Sequence, residues 1–306
     1  MDYEMEEYKS AIASTEKFYD RFAQYYDEFV PPKELRADRV DALVNYLRKE
    51  TGISCGSLRF LELGCGTGSY AIPLARGGHH ITGVDISSKM RDLAISKLNR
   101  NSSIDFEYLR SDWITALETW EDEFDCLLCI GNSLIHNPPC TLPTLFTSAL
   151  RALKPGGILI LNGRRIEREL EMSEGRDTSQ DEICRSGGPT YIPGAGPRIA
   201  LRFMFLTKVS RAEERKTVIT FYTYDNYEKN GRRFVCHRML FDDSKPIETK
   251  PIQYDTWSTK TYFIYEDQLI RVLEECGFSE VREESPDENY FRLEKNWYIA
   301  AQKPRR

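Results

Sequence analysis

"LELGCGTGSYA", Leu61 to Ala71, places three glycines (Gly64, Gly66 and Gly68) between a short apolar run and the start of a helical pattern. Glycine accepts positive φ at little cost, so a chain rich in it can turn tightly and bring backbone N–H groups against a ligand at a helix N-terminus. A glycine loop alone is a weak signal. Here Asp85 closes the next predicted strand, 17 residues after Gly68, where a carboxylate can accept from both ribose hydroxyls. Glu62, two residues before Gly64, stands where a carboxylate can meet a cationic amino group. A dinucleotide fits less well, because Ser69 occupies the third glycine position of GxGxxG.

The surrounding pattern supplies the fold. "LRFLELG", "HHITGVD", "IDFEYLR", "FDCLLCI" and "GILILNG" read as strands between Leu58 and Gly163, with helical stretches such as "SSKMRDLAISKLNR" between them. Ser87 or Ser88 can cap the start of that helix. Such alternation predicts an α/β, Rossmann-like, mostly parallel sheet. Upstream, "RVDALVNYLRKE" (Arg39 to Glu50) and its neighbours alternate at helical spacing, with Pro31-Pro32 as a break. Downstream, residues 165–195 are polar and hold Gly and Pro. The β-rich runs "RIALRFMFLTK", "KTVITFYTYDNY" and "RRFVCHRMLF" follow, with a hairpin signal at Asn230-Gly231. After Tyr265 come a helix, "EDQLIRVLEECGF", and the strands "SEVREE" and "WYIAAQK". The expected organisation is a helical cover over 1–57, a nucleotide-binding core over 58–163, a β-rich insertion or substrate lid over 164–262, and the rest of a seven-stranded sheet over 263–306.

Composition narrows the function classes. The 306 residues are 41% apolar and 29% charged, with a net charge of −6. That balance argues against a nucleic-acid footprint, which shows as a basic excess. No apolar run approaches the ~18–20 residues of a membrane span, and "MDYEMEEYKS" lacks the apolar core of a signal peptide. The expectation is a cytoplasmic protein with a small-molecule substrate, no nucleic acid and no membrane; a homo-oligomer stays open. Cys126 and Cys129 form a CxxC, but inside an apolar run and with no second pair among the eight cysteines. Core thiols in a reducing compartment are the expectation, and no metal is.

The loop with its two acids resembles the first motif, E/D-x-G-x-G-x-G, of the class I S-adenosylmethionine-dependent methyltransferases. "GVDIS" resembles their ribose-binding strand end, which implies Asp85 and Ile86 as cofactor contacts. "SDW" stands where an acid meets adenine, implying Asp112 and Trp113. "ALKPGGILIL" matches the entry to their fifth strand, and "FYDRFAQYYDEF" is similar to a helix that covers the cofactor. The resemblance implies S-adenosyl-L-methionine as cofactor, held by Glu62, Gly64, Gly66, Gly68, Asp85, Ile86, Asp112, Trp113, Ile130 and Gly131. Arg36, with Arg39 as alternative, is implied for the cofactor's carboxylate. Read from the residues alone, Gly66 also suits a plain turn, Asp112 a helix cap and Trp113 a core position.

"CIGNSLIH", Cys129 to His136, resembles the glycine and sarcosine N-methyltransferases, which carry G-N-S-x-x-H at the end of strand four. That likeness implies Asn132 as a hold on the acceptor and His136 as a neighbour of the acceptor pocket. Arg164, after strand five in "LILNGRR", is implied as the partner of an amino acid's carboxylate, a group its planar guanidinium matches. Tyr19 and Tyr262 are candidates to line the methyl-transfer pocket, with Tyr191 a further substrate contact. Surface pairing for Arg164 and a structural place for His136 are the plainer readings. The expected reaction is methyl transfer to the nitrogen of a small amino-carboxylate. The rivals are an O- or N-methyltransferase with a larger acceptor, which the aromatics Phe203, Phe205, Phe221, Tyr222 and Tyr224 would suit, and a non-catalytic cofactor-binding module.

Overall fold

A computed structural model describes residues 2–27, 33–53, 55–98, 104–164, 209–211, 216–226, 231–242, 253–284 and 296–305. Two helices come first, α1 (Asp2–Tyr26) and α2 (Lys33–Thr51). In α1 the residues Tyr8, Ala11, Thr15, Phe18 and Phe22 are buried. Their spacing of three and four puts them on one stripe, so α1 has a single face to bury.

The first compact unit holds residues 1–165 and 264–306. Its strands are β1 (Arg59–Leu63), β2 (His80–Asp85), β3 (Phe106–Arg110), β4 (Phe124–Cys129), β5 (Leu153–Arg164), β10 (Ser279–Glu284) and β11 (Asn296–Gln302). They form one sheet in the order β10-β11-β5-β4-β1-β2-β3. The pairs among β1 to β5 are parallel, and β11 runs antiparallel to both β5 and β10. Helices α3 (Ala71–Arg76), α4 (Ser88–Ser96), α5 (Trp113–Leu117), α6 (Leu142–Ala152) and α7 (Glu266–Glu275) connect the strands. The seven-stranded, mostly parallel Rossmann-like sheet is the one the alternation predicts.

Strand β4 is buried at all six positions, as a central parallel strand covered on both faces must be. On one face, Leu43 and Leu47 of α2 and Leu74 of α3 pack on Phe60, Leu128 and Ile160. Each such fully buried side chain contributes about 1.5–3 kcal/mol. Cys126 and Cys129 are both buried and free. Three residues apart on a strand, they point to opposite faces and cannot share a metal or a disulfide; burial pushes both thiols up. Among the described residues no cluster of His, Cys, Asp and Glu suits a metal, and no helix is long and apolar enough to cross a membrane.

The second unit, residues 166–263, is an antiparallel sheet in the order β6 (Val209–Arg211), β7 (Lys216–Asn226), β8 (Gly231–Asp242), β9 (Gln253–Tyr262). Pairing of Asn226 with Arg232 makes β7 and β8 a hairpin. Strand β9 has no counterpart in the sequence reading. The run "RIALRFMFLTK" lies outside the described residues, as do Pro31, Pro32 and Asn230.

Candidate active site

Strand order reverses at β1: the chain moves from β1 to β2 and β3 on one side, while β4 pairs on the other. Ligands of open α/β sheets bind at the carboxyl ends of such neighbours, and the glycine loop leaves β1 there. Gly64 N–H and Cys65 N–H both donate to Val84 O, at 2.7 Å and 3.1 Å. Gly66 N–H donates to Asp85 Oδ2 and Ser87 N–H to Asp85 Oδ1, each at 2.9 Å. Two backbone donors thus orient Asp85 at the end of β2, while loss of water pushes its carboxyl up to about 6. Gly64 has φ +73, and a Cβ there would lie 3.0 Å from both Ser133 Oγ and Trp113 Cζ2. Only glycine meets both demands.

Glu62 is 4% exposed on β1. Its Oε2 has no hydrogen-bond partner among the described residues. Burial pushes this carboxyl up to about 8, against a smaller opposing pull from Ala71 N–H at the start of α3. A buried carboxylate needs a cation or donors, and a ligand ammonium would supply both. Residues at this strand end therefore fit a molecule with an amino group for Glu62 and hydroxyls for Asp85.

Helix α1 is fastened over this end of the sheet. Tyr8 Oη donates to Asp112 Oδ1 at 2.9 Å, and Glu16 pairs with Arg110. Asp20 Oδ1 accepts from Ser87 Oγ at 2.6 Å and Lys89 N–H at 3.1 Å, at the N-terminus of α4. Asp27 accepts from Thr67 Oγ1 and pairs with Lys97, each at 2.6 Å. The Tyr26 ring lies 3.7 Å from where a Cβ on Gly66 would stand. From β3, Tyr108 Oη donates to Gly66 O at 3.0 Å.

The other half of the site follows β4. Gly131 and Asn132 take φ +80 and +64, and a short 3-10 turn, Ser133–His136, follows. His136 Nε2 and Tyr19 Oη are 2.9 Å apart, with the rings edge to face. Ser133 Oγ donates to Ile130 O at 2.8 Å. Asn162 of β5 accepts at Oδ1 from the N–H groups of Gly131 and Asn132, at 2.7 Å and 3.2 Å.

The structure thus gathers Glu62, Gly64, Gly66, Gly68, Asp85, Ile86, Asp112, Trp113, Ile130, Gly131, Asn132, His136 and Tyr19 along one end of the sheet. Asp112 also caps α5, accepting from Thr115 N–H at 3.0 Å, and Trp113 is 9% exposed. Asp112 thus fills the cap role, and Trp113 a core role beside Gly64. Arg36 and Arg39 lie on α2 and Arg164 ends β5, their side chains outside the described set, as is all of Tyr191. Tyr262 ends β9 of the second unit, with the Lys260 ammonium 4.8 Å from its ring centre. Sequence reasoning missed Tyr8, Asp20, Asp27, Tyr26, Tyr108 and Asn162 as members of this site. Of these, only Asp20, Tyr26 and Asp27 fall in a stretch that carried a signal, "FYDRFAQYYDEF".

Residues 60–157 match a family model described as a methyltransferase domain. Glycine N-methyltransferase of Mus musculus is 28% identical over 127 residues, 37% of this chain and 42% of that protein. This chain therefore spans less than half the length of that relative. Among solved structures, an S-adenosylmethionine-dependent methyltransferase from Clostridium acetobutylicum superimposes with a TM-score of 0.60 at 13% identity, covering 94% of this chain and 99% of that one. The sugar N-methyltransferase KedS8 from Streptoalloteichus does so with a TM-score of 0.59 at 15% identity, covering 93% of each. Residues 60–157 are thus similar to a methyltransferase domain, and the sheet that carries them has the fold of solved methyltransferases.

Proposed function

We propose that the protein transfers a methyl group from S-adenosylmethionine to the nitrogen of a small amino-carboxylate, an acceptor like glycine or sarcosine. The observation that carries this reading is the Tyr19–His136 hydrogen bond beside the left-handed Gly131–Asn132 turn, with Glu62 on β1 and Asp85 at the end of β2. S-adenosylmethionine, when bound, supplies a methyl group on a positively charged sulfur. Glu62 is assigned its amino group and Asp85 its ribose hydroxyls, with Asp112 and Trp113 beside the base.

The chain's remaining work concerns the acceptor. An ammonium has no lone pair, so the nitrogen must shed a proton before it can attack. Histidine is the side chain suited to proton exchange near neutral pH, and His136 with Tyr19 is assigned that task. Asn132 and Arg164 are assigned the acceptor's polar groups, and Arg164 answers its carboxylate in two hydrogen bonds. Aligning the reactants is worth several kcal/mol, and α1 keeps water from the loop side.

A larger amine acceptor is the second reading. The likeness to a sugar N-methyltransferase runs over 93% of the chain, the four-stranded unit included, whereas that to glycine N-methyltransferase covers 37%. Mass-spectrometric turnover decides between them. Purified protein is given S-adenosylmethionine with glycine, sarcosine, dimethylglycine, amino sugars, larger amines and phenols in turn. S-adenosylhomocysteine released only with glycine or sarcosine, and lost in Arg164→Ala, supports the amino-carboxylate. Release confined to a larger amine replaces that acceptor, and cofactor binding without turnover on any of them favours a sensor.

A further inference from the structure

The turn that ends β4 depends on a side chain from the neighbouring strand. The last β4–β5 ladder pair is Cys129 with Leu161, so the N–H groups of Gly131 and Asn132 lie past the reach of that ladder. Both residues are left-handed, a conformation that asparagine visits more readily than other side-chain-bearing residues but that still needs support. A single acceptor, Asn162 Oδ1, takes both N–H groups. Asn162 is 1% exposed, so its oxygen is held inside the sheet, whereas Gly131 is exposed and Asn132 half-buried. From the opposite side Ser133 packs on Gly64 and ties its hydroxyl to Ile130 O. The turn is braced between β5 and the glycine loop.

We propose that Asn162 is a positioning residue for the acceptor: by accepting both N–H groups it fixes the Gly131–Asn132 turn, and with it the direction in which Asn132 presents its amide. This inference rests on the assignment of Asn132 to the acceptor. It predicts that the carbonyl-type oxygen matters, not merely the volume. Asn162→Leu keeps the branched heavy-atom frame, with added bulk, and removes the acceptor atom, whereas Asn162→Asp keeps an acceptor in place at nearly the parental volume.

The test combines three readouts on the full chain. Hydrogen exchange at Gly131 and Asn132 is expected to speed up by about tenfold or more in Asn162→Leu, because both donors lose their partner. Acceptor kcat/KM is expected to fall about 10- to 100-fold while S-adenosylhomocysteine affinity stays within about threefold, since positioning acts on the reacting geometry. Asn162→Asp is expected to restore both. Unchanged exchange in Asn162→Leu overturns the proposal. So does a parallel loss of acceptor kinetics and cofactor affinity that Asn162→Asp fails to rescue, which is the mark of a core residue. If Asn162→Leu does not fold, Asn162→Asp decides: slow exchange with parental kinetics supports the proposal, and fast exchange or lost turnover overturns it. Should the protein methylate a larger amine, the amino-carboxylate reading falls while this test stands, because kinetics are read on whichever acceptor turns over.

Discussion

Ser133 Oγ stands 3.0 Å from the point that a Cβ on Gly64 would occupy, so the loop after β1 and the turn after β4 are in direct contact. Gly64→Ala combines that clash with a φ of +73, and the strain should cost about 2 kcal/mol or more. S-adenosylhomocysteine affinity should drop at least about tenfold, by the scale of 1.4 kcal/mol per decade. Chemical denaturation and titration calorimetry check both; a variant as stable and as tight-binding as its parent would show that the loop can shift.

Glu62 makes cofactor binding depend on pH. Burial raises its carboxyl from the ordinary 4.5 to about 8, and an adjacent ammonium favours the ionised form. Binding between those values therefore expels a proton, and affinity should rise with pH until it levels near 8. Asp85 titrates lower, at about 6, so the window above neutrality belongs to Glu62. Calorimetry at pH 7 in buffers of different ionisation heat should register close to one proton released. Glu62→Gln should abolish that release.

The same carboxyl shapes stability with the opposite sign. A group raised on folding contributes stability below its unfolded value, here 4.5, and loses it as pH climbs through the folded value of about 8. The cofactor-free protein should thus melt progressively lower from pH 5 to pH 8.5. Glu62→Gln should flatten that decline, and a parental slope in the variant would assign it to other groups.

Tyr19→Phe keeps the ring that packs on Phe18 and His136 and deletes only the hydroxyl. If the pair moves the acceptor's proton, kcat should fall about 10- to 100-fold, at or below the usual range for such catalysis. Cofactor affinity should hold. His136→Asn should lower kcat comparably, and the double variant should cost little more than either alone, as for residues acting as one unit.

Asp20 caps α4 from another helix. Losing a cap costs about 1 kcal/mol, and here it also loosens α1 over the loop. Asp20→Ala should therefore speed S-adenosylhomocysteine dissociation about tenfold, the kinetic equivalent of 1.4 kcal/mol. Stopped-flow fluorescence measures it directly. An unchanged rate would mean that Tyr8, Glu16 and Asp27 suffice to hold α1.

The parallel core was legible because its signals are local. "FDCLLC" is buried at every position, and a run that apolar between turn residues leaves little choice. Strand β9 was not legible, because its inward positions include Thr259 and Thr261, buried yet polar; alternation exists there without hydrophobicity to reveal it. Strand β5 begins at Leu153, earlier than its glycines suggested, because Leu153 pairs with Phe124 across a register shift. In the site, the loop, Asp85 and Asn132 follow from motif and spacing. The fastening of Tyr8 to Asp112 spans 104 residues, and that of Asn162 to Gly131 spans 31. No periodicity encodes such partners; only the folded chain brings them together.

Strand β11 lies inside the sheet, between β5 and β10, with Ile299 opposite Leu161. During synthesis, β1 to β5 leave the ribosome long before this partner exists, and the four-stranded unit is made in the interval. Until β11 arrives, the outer backbone of β5 is an open sheet edge carrying Leu159 and Leu161, a surface prone to pairing with other chains. Nascent chains stalled within residues 166–263 would therefore be the aggregation-prone species, and the ones a chaperone must shield.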